Sequence, residues 1–424
     1  MKKLLKIIIV STLALVARAI VRRYRPRIVM ITGSVGKTST KDAVATVLSS
    51  RFLVRKSEKS FNSEFGVPFT VLGVKNPLRN LFAWFLVFKS TLALLILPNH
   101  YPNMLVLEVG ADKPGDLSRI LRIAAPDAVV VTRLPDIPVH VEAYASPEAV
   151  REEEFSPAHS LAPNAPLIIP IDDSYALDSA VGTSARIISY GTTDDATVRV
   201  SDTDFYEEEG KITGMKAKVK INNEEGNIVV KGSVGTTQLL PAASALAVAS
   251  AYDVPLGEAL KALENYKPPP GRGRLLEGKN GSVIIDDSYN ASPVAVEEAL
   301  TTLRSFPNAK RRVAVLGDML ELGRYSVMEH ERIGALARKS AEMIVSVGIR
   351  ARAFAAAHGS TNVMLFDNAS SAALALPNLI KEGDVILVKG SQSVRTERIV
   401  EALLANPSDA SLLVRQEPEW KKKE

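Results

Sequence analysis

Met30-Ile-Thr-Gly-Ser-Val-Gly-Lys-Thr-Ser-Thr-Lys41 is the stretch from which the rest of this chain can be read. Residues 28–31 are an apolar run that predicts a buried strand, and a glycine loop and a helical pattern follow at once. Strand, glycine loop and helix start make a cradle for phosphate. Glycines let backbone N–H groups converge on an anion, the helix N-terminus adds its positive end, and a threonine hydroxyl can reach Mg²⁺. Gly33, Ser34, Val35, Gly36, Lys37, Thr38 and Ser39 are therefore the candidate nucleotide loop. The longer nucleotide signature carries an earlier glycine; only the shorter G-x-x-G-K-T is present here.

Upstream of the loop, Lys2, Lys3 and Lys6 precede an apolar run over 7–17, and Arg18, Arg22, Arg23, Arg25 and Arg27 follow it. Even extended to Val21, the run falls short of the roughly 20 residues a spanning helix needs. Two readings stay open for residues 1–26: a short anchoring or membrane-surface helix with snorkelling Lys and Arg, and an ordinary amphipathic helix packed on the domain. A secretory leader fits less well, because Ala17-Arg18-Ala19 is a poor cleavage site and export would separate a nucleotide site from ATP. The 424 residues allow two or three domains with ample core. A net charge of +5 does not call for nucleic acid as a partner. The absence of cysteine excludes disulfides, zinc thiolates, iron–sulfur clusters and a cysteine nucleophile.

Downstream, residues 41–50 predict a helix, and Ser60-Phe-Asn-Ser-Glu-Phe-Gly-Val-Pro68 a polar loop. Residues 81–97 are strongly apolar and predict one long helix, buried or touching a membrane, with Lys89 at its middle arguing against passage through lipid. Met104-Leu-Val-Leu-Glu-Val-Gly110, Ala128-Val-Val-Val-Thr132 and residues 167–171 read as buried strands. Apolar runs separated by helical patterns predict an α/β fold: a mostly parallel sheet of the P-loop ATPase type with helices on both faces. Lys37, Glu108 and His140 would then fall at strand carboxyl ends, where such sheets bind ligands. Residues 196–234 alternate and predict a small antiparallel β meander, and 239–251 an alanine-rich helix. Tyr266-Lys-Pro-Pro-Pro-Gly271 is the expected boundary, giving an ATP-binding domain over 27–267 and a second, Rossmann-like α/β domain over 268–424. Strands are expected there near 282–285, 312–316, 343–347, 363–366 and 385–388, and the charged tail over 417–424 is expected to fray.

Bound phosphate calls for a metal and basic groups. Thr38 is the first candidate metal ligand, Glu108 at its strand end is placed to supply a carboxylate, and His140 is as readily structural as metal-binding. In the second domain, Asp286-Asp-Ser-Tyr-Asn-Ala-Ser-Pro293 is a polar turn at a strand end, and Gly271-Arg272-Gly273-Arg274 puts guanidinium groups beside the linker.

These motifs, with Asn62…Gly66-Val-Pro68, Glu108-Val-Gly-Ala111, His140-Val-Glu142, Leu316-Gly-Asp-Met-Leu-Glu-Leu-Gly323 and Lys389-Gly-Ser391, occur in an order that resembles the Mur ligase family over about residues 28–405. The resemblance is strongest to the branch that adds D-alanyl-D-alanine to a UDP-muramoyl-tripeptide. It implies an ATP- and Mg²⁺-dependent amide ligase working through an acyl phosphate. Lys37 and the loop would hold the phosphates, with Lys37, His140 and Arg272 catalytic. Thr38, Glu108 and His140 would bind metal, Asp287 and Asn290 would complete the nucleotide site, and Asn62, Lys389 and Ser391 would serve the substrates.

The chain departs from that pattern in three places. The domain that grips a UDP-sugar is expected to be missing, because only the basic-apolar segment precedes the loop. The lysine that relatives carbamylate to bind a second metal is replaced within Val150-Arg-Glu-Glu-Glu154, where Glu154 or Glu153 would supply the metal-binding carboxylate directly, or the glutamates would be a solvated helix face. Arg133 stands where an asparagine is expected, and Thr237 where a histidine is. The expected partners are a carboxylate-bearing cell-wall precursor and an amino acid or dipeptide, handled by a monomer in the cytoplasm, free or attached to the inner face of the membrane. The alternatives are a ligase for another carboxylate, of polyglutamate or lipid-linked type, and a non-catalytic nucleotide-binding regulator.

Overall fold

Alternate residues of the central strands point to opposite sides, and both sides are buried. Val29, Ile31, Val106, Val130 and Ile168 belong to one core. Ile28, Met30, Leu105, Leu107, Val129 and Val131 belong to the other. Strands with this pattern must carry helices on both faces. The structure, a computed structural model, describes residues 2–58, 61–77, 80–356 and 363–421, with side chains omitted at 2–7, 355 and 356. Ser60 of the polar loop, the side chains of Lys2, Lys3 and Lys6, and residues 422–424 of the tail lie outside the described residues.

The first sheet comprises β1 (Arg27–Thr32), β2 (Val54–Lys56), β3 (Met104–Glu108), β4 (Ala128–Val131), β5 (Pro166–Pro170), β6 (Arg186–Gly191), β7 (Val198–Glu208), β8 (Lys211–Ile221) and β9 (Glu224–Lys231). Their spatial order is β2-β3-β1-β4-β5-β6-β7-β8-β9. β1 lies between β3 and β4 and is parallel to both, so the connections leave it in opposite directions. This opens a crevice at the carboxyl ends of β1, β3 and β4. The antiparallel meander of β7 to β9 continues the same sheet, through parallel pairing of Tyr190 and Gly191 with Val198 and Arg199.

The second sheet comprises β10 (Arg274–Gly278), β11 (Ser282–Asp287), β12 (Arg311–Gly317), β13 (Met343–Val347), β14 (Val363–Phe366) and β15 (Asp384–Lys389), in the order β10-β11-β15-β12-β13-β14. β10 is antiparallel to β11; the other pairings are parallel.

Helix Lys37–Leu48 and the alanine-rich helix Leu239–Ala251 cover one face of the first sheet. The N-terminal helix Lys2–Tyr24 joins the layer on the other face, burying Leu13, Ala17 and Ile20. Three expectations need correction. The predicted helix over 41–50 begins at Lys37, because Gly36 ends the loop in a left-handed turn. The apolar helix Leu81–Ile96 is not buried: it keeps only Val87, Thr91 and Leu94 inside. The tail does not fray as far as Lys421. Arg415 is buried against Glu397 at 2.9 Å, and Pro418–Lys421 form a helical turn that sets Trp420 beside Arg395.

Ala245 is fully buried where helix Leu239–Ala251 packs against helix Lys37–Leu48 and the sheet. Ala245→Leu has no free space to fill and is expected to cost about 1–3 kcal/mol of stability through overpacking. Urea unfolding checks this; an unchanged midpoint would contradict such close packing.

Candidate active site

Gly33 and Gly36 have φ of 110° and 91°. A Cβ at Gly33 would lie 2.4 Å from Thr132 Oγ1. The loop therefore needs glycine both for its turn and for its approach to β4. The Lys37 ammonium donates to the Gly33 carbonyl and lies 3.8 Å from Glu154 Oε1. Glu154 is supplied by helix Pro147–His159, which Ser146 caps by accepting from Ala149 N at 3.3 Å. Ser34 Oγ donates to Glu154 Oε2 at 2.5 Å, and Thr32 Oγ1 donates to the Glu154 backbone carbonyl at 2.5 Å. Burial raises the Glu154 carboxyl above its usual range, against the opposing pull of Lys37, Ser34 and His140. Glu153 faces elsewhere and accepts from Gly115 N and Leu117 N at 3.1 and 3.0 Å.

On the other side of the loop, Thr38 Oγ1 donates to Glu108 Oε1 at 3.1 Å, and Lys41 Nζ lies 3.7 Å from Glu108 Oε2. Glu108 is 2 % exposed, and its Oε2 makes no hydrogen bond. Among the described residues, no three His, Asp or Glu side chains converge into a metal cage. A buried carboxylate whose Oε2 accepts no hydrogen bond, beside a threonine hydroxyl, instead fits Mg²⁺, which needs few protein ligands when phosphate is bound. His140, held at φ 66°, is engaged by carboxylates: Nδ1 lies 2.9 Å from Glu321 and Nε2 3.6 Å from Asp112. Burial disfavours protonation of His140, but the hydrogen bond and charge of Glu321, with Asp112, raise it above the usual imidazole value. The hydrogen bond to His140 lowers the Glu321 carboxyl in turn.

The second sheet closes over the loop. Arg272 stacks 4.2 Å from the Tyr289 ring centroid and donates to Thr38 Oγ1 at 3.4 Å. Arg133 pairs with Glu298, and Tyr266 donates from its hydroxyl to the Ser39 carbonyl at 3.3 Å. A cleft of about 690 Å³ results, lined by residues of both sheets. Ser34, Gly36, Lys37, Thr38, Asn62, Glu108 and His140 reach it from the first. Arg272, Asn290 and Ser391 reach it from the linker and the second.

Other expected site residues stand back from the cleft. Val35 lines a small adjoining cavity together with Asp287 and Lys389. Lys389 is 4 % exposed and donates to Asp287 Oδ2 at 2.6 Å and to the Asn290 carbonyl at 3.1 Å. The residue expected to meet substrate thus holds the turn that carries Asn290. Asp112, Glu321, Arg395 and Trp420 also line the cleft, brought there by the fold rather than by any motif of catalytic spacing. Glu321 belongs to the motif over 316–323, whereas Trp420 lies beyond the region of resemblance.

Beneath the turn, Asp286 is fully buried. Its Oδ1 accepts from Ser288 N and Oγ at 3.1 and 2.5 Å, and its Oδ2 has no partner. Burial, with Asp287 adding to it, pushes the Asp286 carboxyl up to about 6.

Comparison with known proteins places these features in a family. The profile described as the Mur ligase middle domain matches residues 31–249, and that described as Mur ligase, glutamate ligase domain matches 271–392. The chain is similar to the UDP-N-acetylmuramoyl-tripeptide–D-alanyl-D-alanine ligase of Bacillus subtilis, at 27% identity over 403 residues, 94% of this chain and 80% of that protein. It is similar to the crystal structure of the MurF ligase of Thermotoga maritima in complex with ADP, with a TM-score of 0.75, 26% identity and coverage of 93% of this chain and 83% of that one. The folylpolyglutamate synthase of Mycobacterium tuberculosis shares the fold alone, at 15% identity, a TM-score of 0.67 and coverage of 93% and 95%.

Between pH about 4 and about 6 the folded chain holds a proton on Asp286 that the unfolded chain has released at its usual value of 3.8. Stability contributed by this group therefore falls as pH rises through that window. Asp286→Asn is expected to stabilise the protein at pH 7 by on the order of 2 kcal/mol and to give no advantage at pH 4. Denaturation at the two pH values checks this, and equal differences at both would contradict it.

Proposed function

This chain belongs to the Mur ligase family of ATP-dependent acid–amino-acid ligases, and we propose that it joins D-alanyl-D-alanine to the terminal carboxylate of a muramoyl-tripeptide peptidoglycan precursor. The observation that carries this reading is the shared cleft, in which a phosphate loop, the buried Glu108 carboxylate, and groups from the closing second sheet face one volume. The substrate carboxylate attacks the γ-phosphorus of ATP, the bond to the β-phosphate oxygen breaks, and ADP leaves an acyl phosphate. The amine of the incoming component then attacks the acyl carbon, phosphate leaves with the bonding electron pair, and the amine proton is lost.

Each residue has a task in that sequence. The amides of 33–39 and the ammonium of Lys37 hold the β- and γ-phosphates, and Arg272 offsets charge from the opposite side as the sheets close. Thr38 and Glu108 would hold Mg²⁺, which when bound neutralises phosphate charge. Glu154 keeps Lys37 and Ser34 in place and supplies the carboxylate that relatives make by carbamylating a lysine. His140, fixed by Glu321, faces the same phosphate region. Asn62 and Ser391 orient the carboxylate and amine partners, while Asp287 and Lys389 support Asn290 beside the nucleotide. Division near residue 267 lets the second domain exclude water that would destroy the acyl phosphate. The chain is proposed to act as a monomer in the cytoplasm, in contact with a membrane surface.

Lys37, Thr38, Glu108 and Arg272 gathered at one site argue against decay of the catalytic apparatus, and the likeness to folylpolyglutamate synthase is one of fold. Phosphate release is expected only when ATP, the UDP-muramoyl-tripeptide and D-alanyl-D-alanine are present together; release with a glutamate-adding set instead would move the proposal to the polyglutamate class. Glu154→Gln should lower turnover by at least about 10²-fold, as losing a charge beside the transferring group does. Glu153→Gln should stay near the wild type, and equal effects of the two variants would remove Glu154 from the site.

A further inference from the structure

Helix Leu81–Ile96 turns its most apolar side to solvent. At about 100° per residue, Leu81, Phe85, Phe88, Leu92 and Ile96 share one arc, with Phe82 and Leu86 on its shoulder. Leu81 is 84 % exposed, Phe82 68 %, Phe88 64 % and Phe85 59 %. A helix apolar on all sides is ordinarily buried, and an exposed patch of this kind marks a place where something docks.

The neighbouring N-terminal helix extends the face. Tyr24 donates from its hydroxyl to the Leu94 carbonyl at 2.8 Å and Arg23 donates to the Leu95 carbonyl at 2.5 Å, joining the two helices at one end. Ile8 and Leu15 remain exposed on the N-terminal helix. Beside it runs a groove of about 350 Å³ lined by Val10, Leu15, Arg18, Arg122 and Ile123.

Charge identifies the occupant. Residues 1–41 and 66–107 contain no Asp or Glu. Arg18, Arg22, Arg25, Lys75 and Lys89 are exposed on or beside the two helices. The groove's one carboxylate, Glu64, is paired with Arg119 at 2.6 Å. A second copy of this chain would bring like charges face to face. A surface that is apolar at depth and anionic at its rim matches both features.

We propose that this face seats the chain on an anionic phospholipid bilayer, with helix Leu81–Ile96 lying in the interface, its aromatic side among the acyl chains and the arginines and lysines on the headgroups. Among the described residues no helix is long and apolar enough to cross a membrane, so the helix lies on the bilayer rather than through it. The inference is independent of which carboxylate the cleft takes.

The test is co-sedimentation of the full chain with vesicles of phosphatidylglycerol and phosphatidylcholine in equal parts, with vesicles of phosphatidylcholine alone, and gel filtration without lipid. Wild type should sediment with the anionic vesicles and weakly with the neutral ones. Phe82→Ser/Phe85→Ser/Phe88→Ser alters only exposed side chains, so it should melt like wild type and bind anionic vesicles at least about tenfold more weakly. Arg18→Gln/Arg22→Gln should lose most of the preference for anionic lipid and its sensitivity to salt. Wild type left in the supernatant, or undiminished binding by the triple serine variant, would overturn the proposal. So would a lipid-free dimer that the serine variant converts to monomer, which would give the face to a second copy.

Discussion

Lys37 sits between the Gly33 carbonyl and the Glu154 carboxylate, and the site is organised by that half-buried cation. Ser34 ties Glu154 to the loop, and Thr32 ties the backbone of helix Pro147–His159 to the end of β1. Strand, loop and both helices are therefore registered before any phosphate arrives. Buried polar networks are costly when broken, which keeps the loop in one geometry. Preorganised charge of this kind favours a transferring phosphoryl group, because little reorganisation remains at the moment of reaction.

The second sheet acts through that arrangement. Arg272 lies over Tyr289 and reaches Thr38, whose hydroxyl is shared with Glu108. His140 to Glu321 and Arg133 to Glu298 join the two halves at separate points. Lys389 stands behind Asp287 and the Asn290 carbonyl, so the turn after β11 is held from within its own domain. The structure is thus closed around a cleft whose two walls carry different chemistry: phosphate-holding on one side and, in our reading, amine-handling on the other.

Much of this was readable from the chain, for physical reasons that also set the limit. Gly33, Gly36, Lys37 and Thr38 are local, and a strand–loop–helix with that composition has few other uses. Buried parallel strands read as apolar runs, and Leu239–Ala251 reads as a buried helix because alanine fills it. β10 carries no apolar run of its own in the sequence, and it becomes a strand by pairing antiparallel along β11. Glu153 and Glu154 could not be separated by sequence: adjacent helical residues point about 100° apart, and packing alone decides which faces the loop. Glu321 and Trp420 reach the cleft only through tertiary folding, the latter by the buried Arg415 and Glu397 pair and the contact with Arg395. The outward side of Leu81–Ile96 was the converse case, since an apolar run alone does not say which side will be left uncovered.

One chemical event in the cleft is central to the proposed reaction: transfer of the γ-phosphoryl group to a substrate carboxylate before the amide forms. The most direct measurement labels that carboxylate of the UDP-muramoyl-tripeptide with oxygen-18 and follows the label by mass spectrometry during turnover with ATP and D-alanyl-D-alanine. Passage through an acyl phosphate requires one labelled oxygen to leave in the inorganic phosphate, and that is the predicted result. Unlabelled phosphate released in step with product would contradict it.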